Sequence, residues 1–161
     1  MLRLQSVFVA ITLAAILAIL AILLPVASAN EVRISVGVAR MDVTPDGPIR
    51  LNGYAVRKTE STGVVQRLWA KALAIGTDEQ GPAVLVTVDN CVGPDTLTEK
   101  VARRLAEKAG IERERFVVCA SHTHAVPCLD GAAPFIFGEP MPPEHQARIH
   151  RYTEQFADAL E

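Results

Sequence analysis

Residues 82–90 read PAVLVTVDN and residues 116–124 read FVVCASHTH, with a helical pattern over 94–109 between them. Pro82 to Val88 is a short, continuous β-branched run that stops at Asp89-Asn90, which reads as a buried strand. Phe116 to Ala120 reads as a second strand, running straight into Ser121-His122-Thr123-His124. Between them, Leu97, Val101, Leu105 and Ala109 recur every four residues. Pro94 and Asp95 stand at the start of that helix and Gly110 just past its end. Strand, helix, strand in this order predicts a right-handed crossover with the two strands parallel and adjacent. Ligands of such sheets collect at the carboxyl ends of the strands, where Asp89-Asn90 and the two histidines fall.

Upstream, Ile34 to Val43 alternates and reads as a strand closed by Thr44-Pro45-Asp46-Gly47-Pro48, with Asp42 capping that turn. Leu51 to Ala55 (LNGYA) is a tight, glycine-containing loop. Val64 to Ile75 fits either helix or strand and is read as one long strand, followed by a hairpin turn at Asp78-Glu79-Gln80-Gly81. A Pro/Gly-rich stretch covers Val126 to Pro143, and a last helix begins near Pro142 and runs to Glu161. The fold class expected is α/β: a mixed β-sheet with a βαβ crossover, packed by helices. Glu161 ends that last helix without a stop signal, so the chain is expected to be an incomplete portion of a larger catalytic domain.

The chain has 161 residues and a formal charge of −2. Residues 1–29 contain one charge, Arg3, and an apolar run from Val7 to Leu24 broken only by Thr12. Pro25 and Ala27-Ser28-Ala29 follow, so the segment reads as a signal peptide or a membrane anchor. The body, residues 30–161, is expected to be exported: periplasmic, extracellular or held at the envelope. That body is slightly acidic and has no basic stripe, which excludes nucleic acid as its main partner. Composition also excludes collagen, coiled coil and a multi-pass membrane protein. Three cysteines (Cys91, Cys119 and Cys128) allow one internal disulfide at most. Cys119 is expected to be buried within its strand, and a Cys91–Cys128 bridge is left open.

His122 and His124 carry the chemistry. Two residues apart after a strand, they share a face in extended backbone, so both imidazoles can approach one metal ion, or one metal and its bound substrate. Ser121 and Thr123 add hydroxyls, and Asp89 on the neighbouring strand end can orient an imidazole N–H. Two familiar histidine-pair hydrolases do not fit. The metallo-β-lactamase pattern wants Asp where Val126 stands, and an amidohydrolase barrel needs about 250 residues. His145 and His150 are five apart on the last helix and do not share a face.

Taken in order, VGVARMDVTP (36–45), LNGYA (51–55), RLWAKALAI (67–75), VLVTVD (84–89) and FVVCASHTHAVP (116–127) resemble the amino-terminal part of the neutral/alkaline non-lysosomal ceramidases. The resemblance spans nearly all of residues 36–127. It implies a zinc-dependent amidohydrolase that cleaves N-acylsphingosine to sphingosine and a fatty acid, with contact to a membrane surface. His122 maps onto a zinc ligand and His124 onto the catalytic group beside the reacting carbonyl. The family's other ligands and its serine nucleophile lie further along its sequence. This chain departs after the second histidine, with Ala125-Val126-Pro127-Cys128-Leu129 where the family has Ser-Gly-Pro and glycines. The competing expectation is a non-catalytic exported binding protein that keeps the fold.

Overall fold

The computed structural model describes residues 33–77, 79, 81–132 and 137–161. Residues 1–29, read from sequence as a signal peptide or a membrane anchor, lie outside the described residues. Four strands form one sheet in the order β1-β2-β3-β4: β1 Val36–Asp42, β2 Trp69–Ile75, β3 Ala83–Val88 and β4 Phe116–Ala120. β1 pairs antiparallel with β2, and β2 with β3; the turn expected between them, at Asp78-Glu79-Gln80-Gly81, lies partly outside the described residues. β3 and β4 are parallel, Val88 opposite Ala120, and are joined through helix α1 (Asp95–Ala109). The sheet is therefore mixed and carries the predicted βαβ crossover. Helix α2 (Pro143–Leu160) follows.

Helix α1 ends where its sequence says it should. Gly110 takes a left-handed φ of 65°, and its N–H donates to the Ala106 carbonyl at 3.1 Å. Leu97, Val101 and Leu105 join Val86, Val88 and Phe116 of the sheet and Ile149, Tyr152, Phe156 and Leu160 of α2 in one core. The stripe on α2 recurs every three to four residues, so a single helical face is buried. Lys100–Glu154 and Arg104–Asp158 (2.7 Å) tie the two helices on their solvent side.

Both helices lie on one face of the sheet, and that corrects two expectations. β3 is buried on one side only: Val86 and Val88 are in the core, whereas Leu85 and Thr87 face outward. Cys119 is likewise exposed, because strand alternation sends Phe116 into the core and Cys119 to the opposite face. Val38 (81% exposed) and Val117 (48%) share that outer face. A third correction concerns length. β2 begins at Trp69, not at Val64, because β1 has already turned away. The Thr44 hydroxyl takes the Leu68 N–H at 2.8 Å in place of a partner strand. Asp42 caps the turn as expected, accepting the Thr44 N–H at 2.9 Å; the Thr44 hydroxyl first, and this N–H second, hold its carboxyl below the usual range.

Candidate functional site: a histidine pair cradled by two loops

The parallel register of β3 and β4 brings two chain segments side by side just beyond the sheet. Ser121 N–H donates to Val88 O at 3.0 Å, and His122 N–H donates to Asn90 O at 2.9 Å. Asn90, fully buried, fixes this corner: its Oδ1 accepts the Cys91 N–H at 2.7 Å, and its Nδ2 donates to Pro127 O at 3.4 Å. Cys91 is thereby held against His122. Its carbonyl oxygen lies 2.7 Å from His122 Nδ1 and its Sγ 3.9 Å from the same nitrogen. A proton on Nδ1 donated to that carbonyl leaves Nε2 with its lone pair, the arrangement metal-binding imidazoles use.

The histidines do converge, with ring centroids 5.3 Å apart and the planes nearly perpendicular. They do so by a different backbone from the extended one expected. Among the described residues, His122 is the non-glycine residue with positive φ, at 60°. Such a left-handed residue stores of order 1–3 kcal/mol, and residues of this kind cluster at functional sites.

A second loop holds His124. Backbone pairing of Leu51 with Pro127, Asn52 N–H to Val126 O (2.9 Å) and Cys128 N–H to Arg50 O (2.8 Å) lays residues 50–52 along 126–128. That places Gly53, φ 95°, directly under the His124 ring, where a Cβ would come within 2.3 Å of its Cγ. Tyr54 meets the ring edge-on, with centroids 4.9 Å apart. Arg57 donates to the His124 carbonyl at 2.9 Å and stands over the Tyr54 ring. Buried Arg50 secures the far side of the loop, donating to the Arg57 and Lys58 carbonyls.

The other residues singled out from sequence take different places. Asp89 Oδ2 accepts the Trp69 N–H at 2.9 Å, so it fastens the start of β2, while the acceptor facing His122 is the Cys91 carbonyl. Ser121 and Thr123 line a cleft of about 540 Å³ with Asp89, whose apolar wall includes Leu51, Val64, Val65 and Leu68. The bulkier residues after His124 turn inward: Val126, Cys128 and Leu129 are buried, and burial pushes the Cys128 thiol up to about 11. His145 and His150 sit with Glu60 (3.8 Å) and Asp130 (2.7 Å) respectively.

Cys91, Gly53, Tyr54 and Arg57 are the residues that sequence reasoning missed. Cys91, His122 and His124 each offer a donor atom within 4.8 Å of the others. Thiol and imidazole donors suit zinc and similar borderline-soft ions, so the residues present fit such a metal. No helix among the described residues is long and apolar enough to cross a membrane.

The N-terminal family of neutral/alkaline non-lysosomal ceramidases matches residues 34–132. Neutral ceramidase 2 of Arabidopsis thaliana is 30% identical over 95 residues, 57% of this chain and 12% of that protein. Neutral ceramidase of Oryza sativa subsp. japonica is 28% identical over the same length. The chain thus spans 12% of the length of the curated relatives it matches. Among solved structures, neutral ceramidase from Pseudomonas aeruginosa superposes with a TM-score of 0.51 at 20% identity, covering 76% of this chain and 21% of that one. A ceramidase complexed with C2 gives 0.55 at 20% identity, covering 79% and 20%. These likenesses show the fold.

Proposed function

This chain belongs to the neutral/alkaline non-lysosomal ceramidase family, and on that premise we propose that it carries part of a zinc-dependent amide-hydrolase centre acting on N-acylsphingosine or a related lipid amide. The observation that carries the reading is the His122–His124 pair, held by two loops at the carboxyl end of parallel strands within the family match.

His122 is the metal-side residue. Its Nδ1 is engaged by the Cys91 carbonyl, so Nε2 is the nitrogen left to bind. Bound zinc supplies a water of lowered pKa and polarises the amide carbonyl. His124 stands on the carbonyl side, where an imidazole N–H can donate to the oxyanion as the C–N bond breaks. The cradle of Gly53, Tyr54 and Arg57 keeps that donor in place before substrate arrives, which is what electrostatic stabilisation requires. The cleft beside Ser121 and Thr123 suits an aliphatic chain, since Leu51, Val64, Val65 and Leu68 face it. Water adds across the amide, and sphingosine and a fatty acid leave.

Two or three donors do not complete a catalytic zinc site with its open position, so the remaining groups are assigned to the rest of a complete catalytic domain. Within such a domain, hydrolysis of a fluorogenic ceramide is expected to stop on chelation and return with zinc. The 161-residue chain alone is expected to show no steady turnover. Hydrolysis that persists after metal removal overturns the reading. Export belongs to the same proposal, with Asn30 as the mature amino terminus after Ala27-Ser28-Ala29. Amino-terminal sequencing of the released protein checks it, and a product beginning at Met1 refutes it.

A further inference from the structure

We infer that Cys91 and Cys128 are the residues this fold joins as a disulfide, a covalent clasp between the two segments that flank His122 and His124. The pairing stands apart from the proposed hydrolysis; only the oxidising compartment it calls for rests on the export proposed above.

The spacing of three cysteines leaves their pairing open, and the fold closes it. Cys119 is exposed on the outer face of β4, whereas Cys91 and Cys128 are 6% and 4% exposed at the corner that Asn90 fixes. One side chain spans that corner. The Asn90 carboxamide accepts the Cys91 N–H at 2.7 Å and donates at 3.4 Å to Pro127 O, the carbonyl of the peptide bond that enters Cys128. The two backbones therefore stand one side chain apart, the order of separation a disulfide spans, with its Cα atoms about 4.4–6.8 Å apart. Each is also held on its other side. The Cys91 carbonyl lies 2.7 Å from His122 Nδ1, and the Cys128 N–H donates to Arg50 O at 2.8 Å. The thiols sense each other as well: burial raises the Cys128 thiol, Arg50 and Arg57 pull it back, and the neighbouring Cys91 raises it again as a like charge does.

All three thiols are free in this structure, so the bridge needs an oxidant, here a low-molecular-weight disulfide such as oxidised glutathione. As the chain folds, and before both sulfurs are buried, one cysteine thiolate attacks it and the first glutathione leaves as a thiol. The second cysteine then displaces the other glutathione from the mixed disulfide. Two thiol hydrogens and two electrons pass from the cysteines to one glutathione disulfide, which departs as two thiols. The loop so closed carries β4 and both histidines, which restricts the segment that presents them. A bridged sulfur offers no thiolate, so the metal-side role stays with His122.

The test refolds the reduced 161-residue chain in mixed reduced and oxidised glutathione, then counts free thiols in denaturant by alkylation and mass. Wild type is expected to show a single free thiol and Cys119→Ser none, without glutathione adducts. Cys91→Ser and Cys128→Ser should form no internal bridge. Fragmentation of oxidised Cys119→Ser, whose substitution lies on the exposed face, should show residues 91 and 128 linked. The oxidised chain should also melt about 8–16 °C above the same chain kept reduced. Free thiols throughout wild type and Cys119→Ser, a bridge that includes Cys119, or an oxidised chain that melts no higher than the reduced one overturns the inference. The same count on protein made in cells separates pairing from compartment. A bridge that forms in glutathione but is absent from the cellular protein supports the pairing and counts against export. Failure to bridge in a protein that begins at Asn30 overturns the pairing and leaves export standing.

Discussion

Replacing His122 by asparagine is expected to strip the metal and reduce amide hydrolysis to background in the complete catalytic domain, whereas His124→Ala keeps the metal and slows turnover about 10²–10³-fold. Asparagine is the instructive replacement at 122. The position has φ 60°, and Asn tolerates that region better than Ala, so the imidazole is removed without an added backbone penalty. The two outcomes differ because the two rings face different tasks. His122 is turned by the Cys91 carbonyl so that Nε2 can bind. His124 is held by Arg57 through its backbone and by Tyr54 at its ring edge. Metal content and turnover measured side by side settle the matter: stoichiometric zinc in His122→Asn refutes the assignment. Full activity in both variants means that this loop is not the active site.

What was legible in the sequence was what local periodicity and topology decide. Helix α1 could be read from Pro94 to Gly110 because its stripe, its start and its left-handed stop all agree. The crossover then fixed β3 beside β4, and so placed the histidines at the ligand-binding edge. What escaped depended on partners distant in sequence. Val64–Leu68 has a strand-like composition, but Thr44 intercepts the Leu68 N–H and no strand lies opposite among the described residues. The continuous run at Pro82–Val88 reads as a buried strand, yet helices cover one face only, and Leu85, Thr87 and Cys119 emerge on the other. Cys91 had no motif to announce it. Its approach to His122 follows from the Val88–Ala120 register and from Asn90, neither of which the spacing of cysteines can reveal. The signal available for Gly53 was the LNGYA loop itself, whose glycine is explained only once His124 lies above it.

That contact makes Gly53→Ala the most damaging small substitution expected in the site. A Cβ at 53 would meet His124 Cγ at 2.3 Å, Cβ at 2.6 Å and Nδ1 at 2.7 Å. These are the root of the ring rather than the end of a flexible chain, so a rotamer change alone does not clear them. Residue 53 also sits at φ 95°, where an L side chain is strained by about 1–3 kcal/mol. Overpacking adds about 1–3 kcal/mol more. The loop cannot simply lift away, because Asn52 N–H is bonded to Val126 O, and Arg50 and Arg57 pin its far end. The expected result is a fall in Tm of about 4 °C per kcal/mol lost, together with displacement of His124. Gly63→Ala is the matched control, since nothing lies within 4 Å of the added carbon there. The displacement is read directly in the 161-residue chain from the nuclear Overhauser contact between the Tyr54 and His124 rings, whose centroids are 4.9 Å apart. It should vanish in Gly53→Ala and remain in Gly63→Ala. If Gly53→Ala keeps both that contact and the wild-type Tm, the loop has room the packing denies, and the cradle is not what positions His124.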